Sequence, residues 1–159
     1  MRTFVLAALL LTGLSTTLPA QTSDSVQRPA LNTIIKVPGM KWKFKCTVDP
    51  MTDEPTCAMI DRQLIFARTP QAYVIGFVNN YYPGSTLTIR IDSLTPLSIE
   101  GKLLPLSDDN ITELRGATLL RVRYKTWPNS SYTDFSWPLV GFSDALDQLN
   151  QFYESLQTK

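Results

Sequence analysis

Histidine is absent from all 159 residues. That removes Ser-His-Asp and Cys-His nucleophile systems, most zinc sites and the commonest general acid or base. Cysteine is scarce, with only Cys46 and Cys57, and a pair consumed in a bridge leaves no thiol nucleophile. No P-loop, G-x-G-x-x-G or S-x-x-K pattern occurs. Neither sign of charge dominates, with 15 basic and 14 acidic side chains, which argues against bulk electrostatic binding to nucleic acid or anionic membrane. Carboxylates, lysines, tyrosines and hydroxyls remain, as in every secreted domain. We therefore expect binding rather than catalysis, with no cofactor and no metal.

The apolar run Phe4 to Leu14 is shorter than the roughly 20 residues a spanning helix needs. It follows one basic residue, Arg2, and ends in small or helix-breaking residues up to Ala20. This is the pattern of a secretory signal peptide, residues 1–20. Residues 21–36 read as a polar, flexible leader and 37–159 as a single β-rich domain, large enough for one hydrophobic core. An exported chain meets an oxidising space, periplasmic or extracellular, where a cysteine pair persists as a disulfide.

Both cysteines fall in Trp42 to Ile60, WKFKCTVDPMTDEPTCAMI. Trp42, Phe44 and Cys46 alternate with Lys41, Lys43 and Lys45, the period of two of a strand with one buried face. Asp49 and Pro50 suit the first two positions of a type I β-turn. The stretch reads as a stapled β-hairpin in which Cys46 faces Cys57 and Phe44 faces Met59. A ring of about 12 residues contributes ~3 kcal/mol by the chain-entropy model.

Strands are also expected at Ala72 to Val78 and Thr86 to Ile91, joined as a second hairpin by turn residues Asn79 to Gly84. A further turn is expected at Glu100-Gly101-Lys102 and a short helix at Asp108 to Arg115. Leu119 to Lys125 alternates Leu120 and Val122 with Arg121, Arg123 and Lys125, and Thr133, Phe135 and Trp137 form the last strand. In the C-terminal segment Leu146, Leu149, Tyr153 and Leu156 recur at helical spacing, with Ser143 as cap, Asp144 in the first turn, and Asp147, Gln148, Asn150 and Glu154 on the wet side. The fold class is an antiparallel β-sandwich or partly open barrel with a C-terminal α-helix.

The hairpin CTVDPMTDEPTC after a tryptophan strand, together with the ending FSWPLVGFSDALDQL, resembles the invasion-associated locus B family of secreted bacterial proteins. Many members carry a further cysteine pair in the middle of the domain, which this chain lacks, so the resemblance implies a distant relative. The DPMTDE turn also resembles that of periplasmic proteins associated with type VI secretion. The first resemblance implies a secreted factor in host-cell contact, the second an accessory envelope protein, and neither implies catalytic residues.

Two basic faces are candidates for binding. Arg121, Arg123 and Lys125 form one, with Arg90 a candidate neighbour, and its arginines can bind carboxylate or phosphate bidentately, while cross-strand pairing with acidic neighbours explains them equally well. Lys41, Lys43 and Lys45 form the wet side of their strand, or an edge protected from pairing. Tyr81, Tyr82, Trp127 and Tyr132 lie in or beside loops, where aromatics serve contacts. Asp49, Asp53 and Glu54 offer hard oxygens but not the spacing of a calcium loop. The expected binding surface is Arg121, Arg123, Tyr81, Tyr82 and Trp127, its partner an unidentified envelope or host-surface protein. A carboxylate-based envelope glycan hydrolase is the alternative.

Overall fold

Period-two alternation runs through most of the chain, and the protein is accordingly mainly β. The computed structural model describes residues 29–77 and 81–157. The expected signal peptide, residues 21–28 of the leader and Val78, Asn79 and Asn80 lie outside them. The first strands are β1 (Ile35–Lys36), β2 (Lys43–Val48), β3 (Pro55–Asp61), β4 (Leu64–Arg68) and β5 (Tyr73–Phe77). After them come β6 (Thr86–Ile91), β7 (Leu97–Glu100), β8 (Leu103–Leu106), helix α1 (Asp108–Gly116), β9 (Leu119–Thr126), β10 (Ser131–Pro138) and helix α2 (Phe142–Gln157).

Two antiparallel sheets result, a large one of six strands in the order β1-β2-β3-β4-β5-β8 and a small one of four in the order β10-β9-β6-β7. The β2–β3 hairpin has the expected register, with Cys46 opposite Cys57 and Phe44 opposite Met59. The two sulfurs are bonded, and both cysteines are fully buried. Its turn is wider than a type I β-turn, because the Asp53 amide donates to the Asp49 carbonyl four residues back. The Asp49 carboxylate accepts the amides of Met51 and Thr52, and Asp53 takes positive φ to close the loop.

The expected β5–β6 hairpin does not form. Both edges of β5 are taken, by β4 and β8, while β6 pairs with β7 and β9 in the other sheet. The connection is pinned across the molecule instead: Tyr81 bridges Thr126, and the Tyr82 amide donates to the Lys125 carbonyl. After β7 the chain returns to the large sheet through Gly101, whose φ of 115° is open to glycine alone and whose amide donates to the Ser85 carbonyl. Glu100-Gly101-Lys102 is thus a corner between sheets rather than a hairpin turn. Segment 21–36, expected as a flexible leader, contains β1. There Ile35 pairs with Phe44, Lys36 pairs with Lys43, and the Asn32 amide donates to the Cys46 carbonyl.

Helix α2 covers one end of the large sheet with Phe142, Ala145, Leu146, Leu149, Phe152 and Tyr153, all buried. Phe142 meets Trp42 and Phe66 edge-on at 5.8 and 5.2 Å between centroids, and Phe152 meets Phe44 at 5.5 Å. Ser143 is not the cap. The helix opens two residues earlier, at Phe142, which belongs to the core, and the Gly141 carbonyl accepts the first helical bond, from Ala145. Asn150 is not simply wet either, since its side-chain oxygen accepts from Arg68 (2.9 Å) and Tyr73 (2.6 Å). The small sheet turns Leu87, Ile89, Leu120, Val122 and Trp137 inward. Phe77 of the large sheet meets Tyr124 and Trp137 there, which joins the layers. Among the described residues no helix is long and apolar enough to cross a membrane.

Candidate functional site

With its apolar residues committed to the core, the small sheet turns its polar residues outward. The registers set them in rows: Tyr132 beside Lys125, then Asp134, Arg123 and Thr88, then Ser136, Arg121 and Arg90. Rows two residues apart along a strand are separated by about 6.8 Å, so the Tyr132 row lies about 14 Å from the Arg121 row. A cleft of about 260 Å³ opens over the two arginine rows, lined by Thr88, Arg90, Pro96, Arg121, Arg123 and Asp134 among others. Arg121 and Arg123, expected to share a face, do so, and Arg90 joins them.

The three guanidinium groups are held differently. Arg123 pairs bidentately with Asp134, at 2.7 Å on both bonds. Those bonds hold the Asp134 carboxyl below its usual range and raise the Arg123 guanidinium above its own. Ordinary cross-strand pairing thus accounts for Arg123. Arg121 donates to the Asp92 carbonyl (2.7 Å), and Arg90 donates to the Leu94 (3.0 Å) and Ser93 (3.2 Å) carbonyls. Among the described residues no salt bridge includes either. The Asp92 carboxylate is occupied elsewhere, accepting the amides of Thr118 and Leu119 and the Thr118 hydroxyl. The Thr118 amide first, and then these other donors and the charge of Arg121, hold its carboxyl below the usual range.

The aromatic residues divide. Tyr82 and Trp127 contact each other at 5.6 Å, and Trp127 is 55% exposed. Tyr132 is 67% exposed, and Lys125 Nζ lies 5.0 Å from its ring centre. Tyr81, expected on the binding surface, is instead core: it is 7% exposed and stacked on Tyr124 at 5.6 Å. The reason is the sheet crossover, which carries Tyr81 under the connection and against β9. Burial pushes its phenol up to about 12. Ser85 offsets part of that shift, although neither hydroxyl reaches hydrogen-bond distance of a partner.

The lysine face is only partly assembled. Lys43 pairs with Lys36 and so shares its face, and Lys45 follows by alternation. Lys41 turns away to Asp61 (3.2 Å) and the Pro138 carbonyl (3.1 Å). No group of three or more acidic or cysteine side chains among the described residues stands close enough to hold a metal ion.

Arg68 has a role that sequence reasoning missed. It donates to Asn150 and Glu154 of α2 and lies 4.4 Å from the Tyr153 ring centre. Its signal was readable, since alternation in Leu64-Ile65-Phe66-Ala67-Arg68 sets the arginine on the buried face. There it ties the helix to the sheet beside a shallow groove at the β4–β5 turn that also includes Thr69, Tyr73 and Asp108. Compared with known proteins, the chain matches no family model, no curated protein and no solved structure.

Proposed function

We propose that this chain is an exported binding protein of the invasion-associated locus B type, which captures a protein partner at the cell envelope or host surface on the outer face of its small sheet. The observation that carries this reading is the pair Arg90 and Arg121, directly opposed across two strands and without a carboxylate partner among the described residues. Like charges set opposite one another oppose folding, so their place is better explained by an external anionic group than by stability. Arginine and large aromatics dominate binding energy at interfaces, and Trp127, Tyr82 and Tyr132 lie towards the other end of the same sheet. The Cys46–Cys57 bond supports an oxidising compartment, periplasmic or extracellular. The cleft holds a single carboxylate, Asp134, already engaged by Arg123. It lacks the facing pair that glycoside hydrolysis uses, and binding is therefore preferred over catalysis.

The test is capture of envelope and host-surface proteins by the exported protein and by single variants Arg121→Ala, Tyr82→Ala and Trp127→Ala with unchanged circular dichroism. Each variant is expected to weaken capture of the same partner about tenfold, the loss of an interface anchor of ~1.4 kcal/mol. Undiminished capture by all three, with loss in a Lys43→Ala/Lys45→Ala variant, would overturn the choice of face.

A further inference from the structure

Taking the outer face of the small sheet as the binding surface, we infer that Arg90 and Arg121 form a site for a phosphate monoester. The two side chains are held by neighbouring carbonyls of the β6–β7 connection, Arg121 by that of Asp92 and Arg90 by those of Ser93 and Leu94. Those three bonds fix two flexible side chains before any ligand arrives, which removes much of the ordering cost of binding. They also leave most of the N–H groups of the two guanidiniums, roughly five each, for another acceptor. Asp92, the carboxylate nearest in sequence, is turned to Thr118 and Leu119 and does not neutralise them at contact distance.

Charge and size select the ligand. Two guanidinium groups without an ion-pair partner match a monoester, which carries about −1.5 to −2 at neutral pH, better than a single carboxylate. Three acceptor oxygens suit the fork geometry of arginine. Thr88 and Ser136 line the same cleft and add hydroxyls. At about 260 Å³ the cleft is below the usual range of roughly 300–1,000 Å³ for a drug-sized ligand. It accommodates one tetrahedral group or a small sugar phosphate.

Titration calorimetry of the exported protein with inorganic phosphate and with a hexose 1-phosphate, at constant ionic strength and pH 7.5, tests the inference. Saturable binding of both is expected, with acetate at least tenfold weaker. Binding should weaken several-fold at pH 5, where the phosphate loses its second charge near about pH 6. Arg90→Gln and Arg121→Gln should each lose at least tenfold and Lys43→Gln, on the other sheet, less than threefold, with Arg121→Lys between parent and Arg121→Gln. Hexose phosphate binding without inorganic phosphate binding would overturn the assignment to the phosphate group. So would acetate binding as tightly as phosphate, or an Arg90→Gln/Arg121→Gln variant binding like the parent. Because parent binding and its pH dependence need no variant, the inference is decided even if a substitution unfolds the domain. Absence of phosphate binding combined with loss of partner capture in Arg121→Ala would remove this inference and leave the binding face standing. The converse pair of results would do the reverse.

Discussion

Leu149→Ala should destabilise the domain by about 3–4 kcal/mol. Leu149 is fully buried on the stripe of α2 that faces the large sheet, in a helix whose Phe142 and Phe152 are locked edge-on against Trp42, Phe66 and Phe44. The substitution removes an isopropyl group, roughly three buried carbons at about 0.8 kcal/mol each, or about 2.4 kcal/mol of transfer free energy. The remainder is the cavity: rings fixed on both sides along the helix limit collapse, and Leu→Ala losses run from about 2 to 5 kcal/mol. Against a total of roughly 5–15 kcal/mol this is a large fraction. For a domain of this size it corresponds to a melting temperature lower by about 10–16 °C. Urea titration is the assay, with a shifted midpoint and unchanged slope expected. Gln148→Ala, one position off the stripe, should stay within about 0.5 kcal/mol. A Leu149→Ala midpoint within error of the parent would show that α2 is not docked as described and would refute the packing argument. A Phe44→Ala/Phe152→Ala cycle should return a coupling of about 0.5–1.5 kcal/mol if the two rings meet.

Unreduced mass spectrometry of the exported protein should find no free thiol, and Cys46→Ser/Cys57→Ser should cost about 3 kcal/mol; two free thiols in the parent would contradict the bridge. Asp92 and Asp134 are both held below the usual carboxyl range. Their contribution is therefore complete above the unfolded value of about 3.9 and lost as pH falls through the lower folded values. Melting temperatures from pH 7 to pH 2 should accordingly fall less steeply at the acid end in Asp92→Asn and Asp134→Asn than in the parent, and curves parallel to the parent would contradict the two networks.

Features that depend on neighbours in the chain were legible from residues alone. Alternation in Lys43 to Cys46 and in Leu119 to Lys125 set which side chains face the core, and two cysteines across a short turn set their own register. The stripe Leu146, Leu149, Tyr153 pointed to a helix with one buried face, since a period of three to four gathers apolar side chains on one side. What the stripe docks on was decided by the tertiary structure, and so was the fate of Tyr81. Turn residues after β5 mark a change of direction but not whether the chain returns along the same strand or crosses to a second sheet; that depends on β4 and β8 occupying both edges of β5. Arg121 was readable as outward-facing, yet its lack of a carboxylate partner and its place opposite Arg90 follow from the β6–β9 register and the Asp92 network. Local periodicity specifies which way a side chain points, because backbone geometry repeats every two or 3.6 residues. It does not specify what the side chain meets, because that neighbour is brought in by a contact distant in sequence.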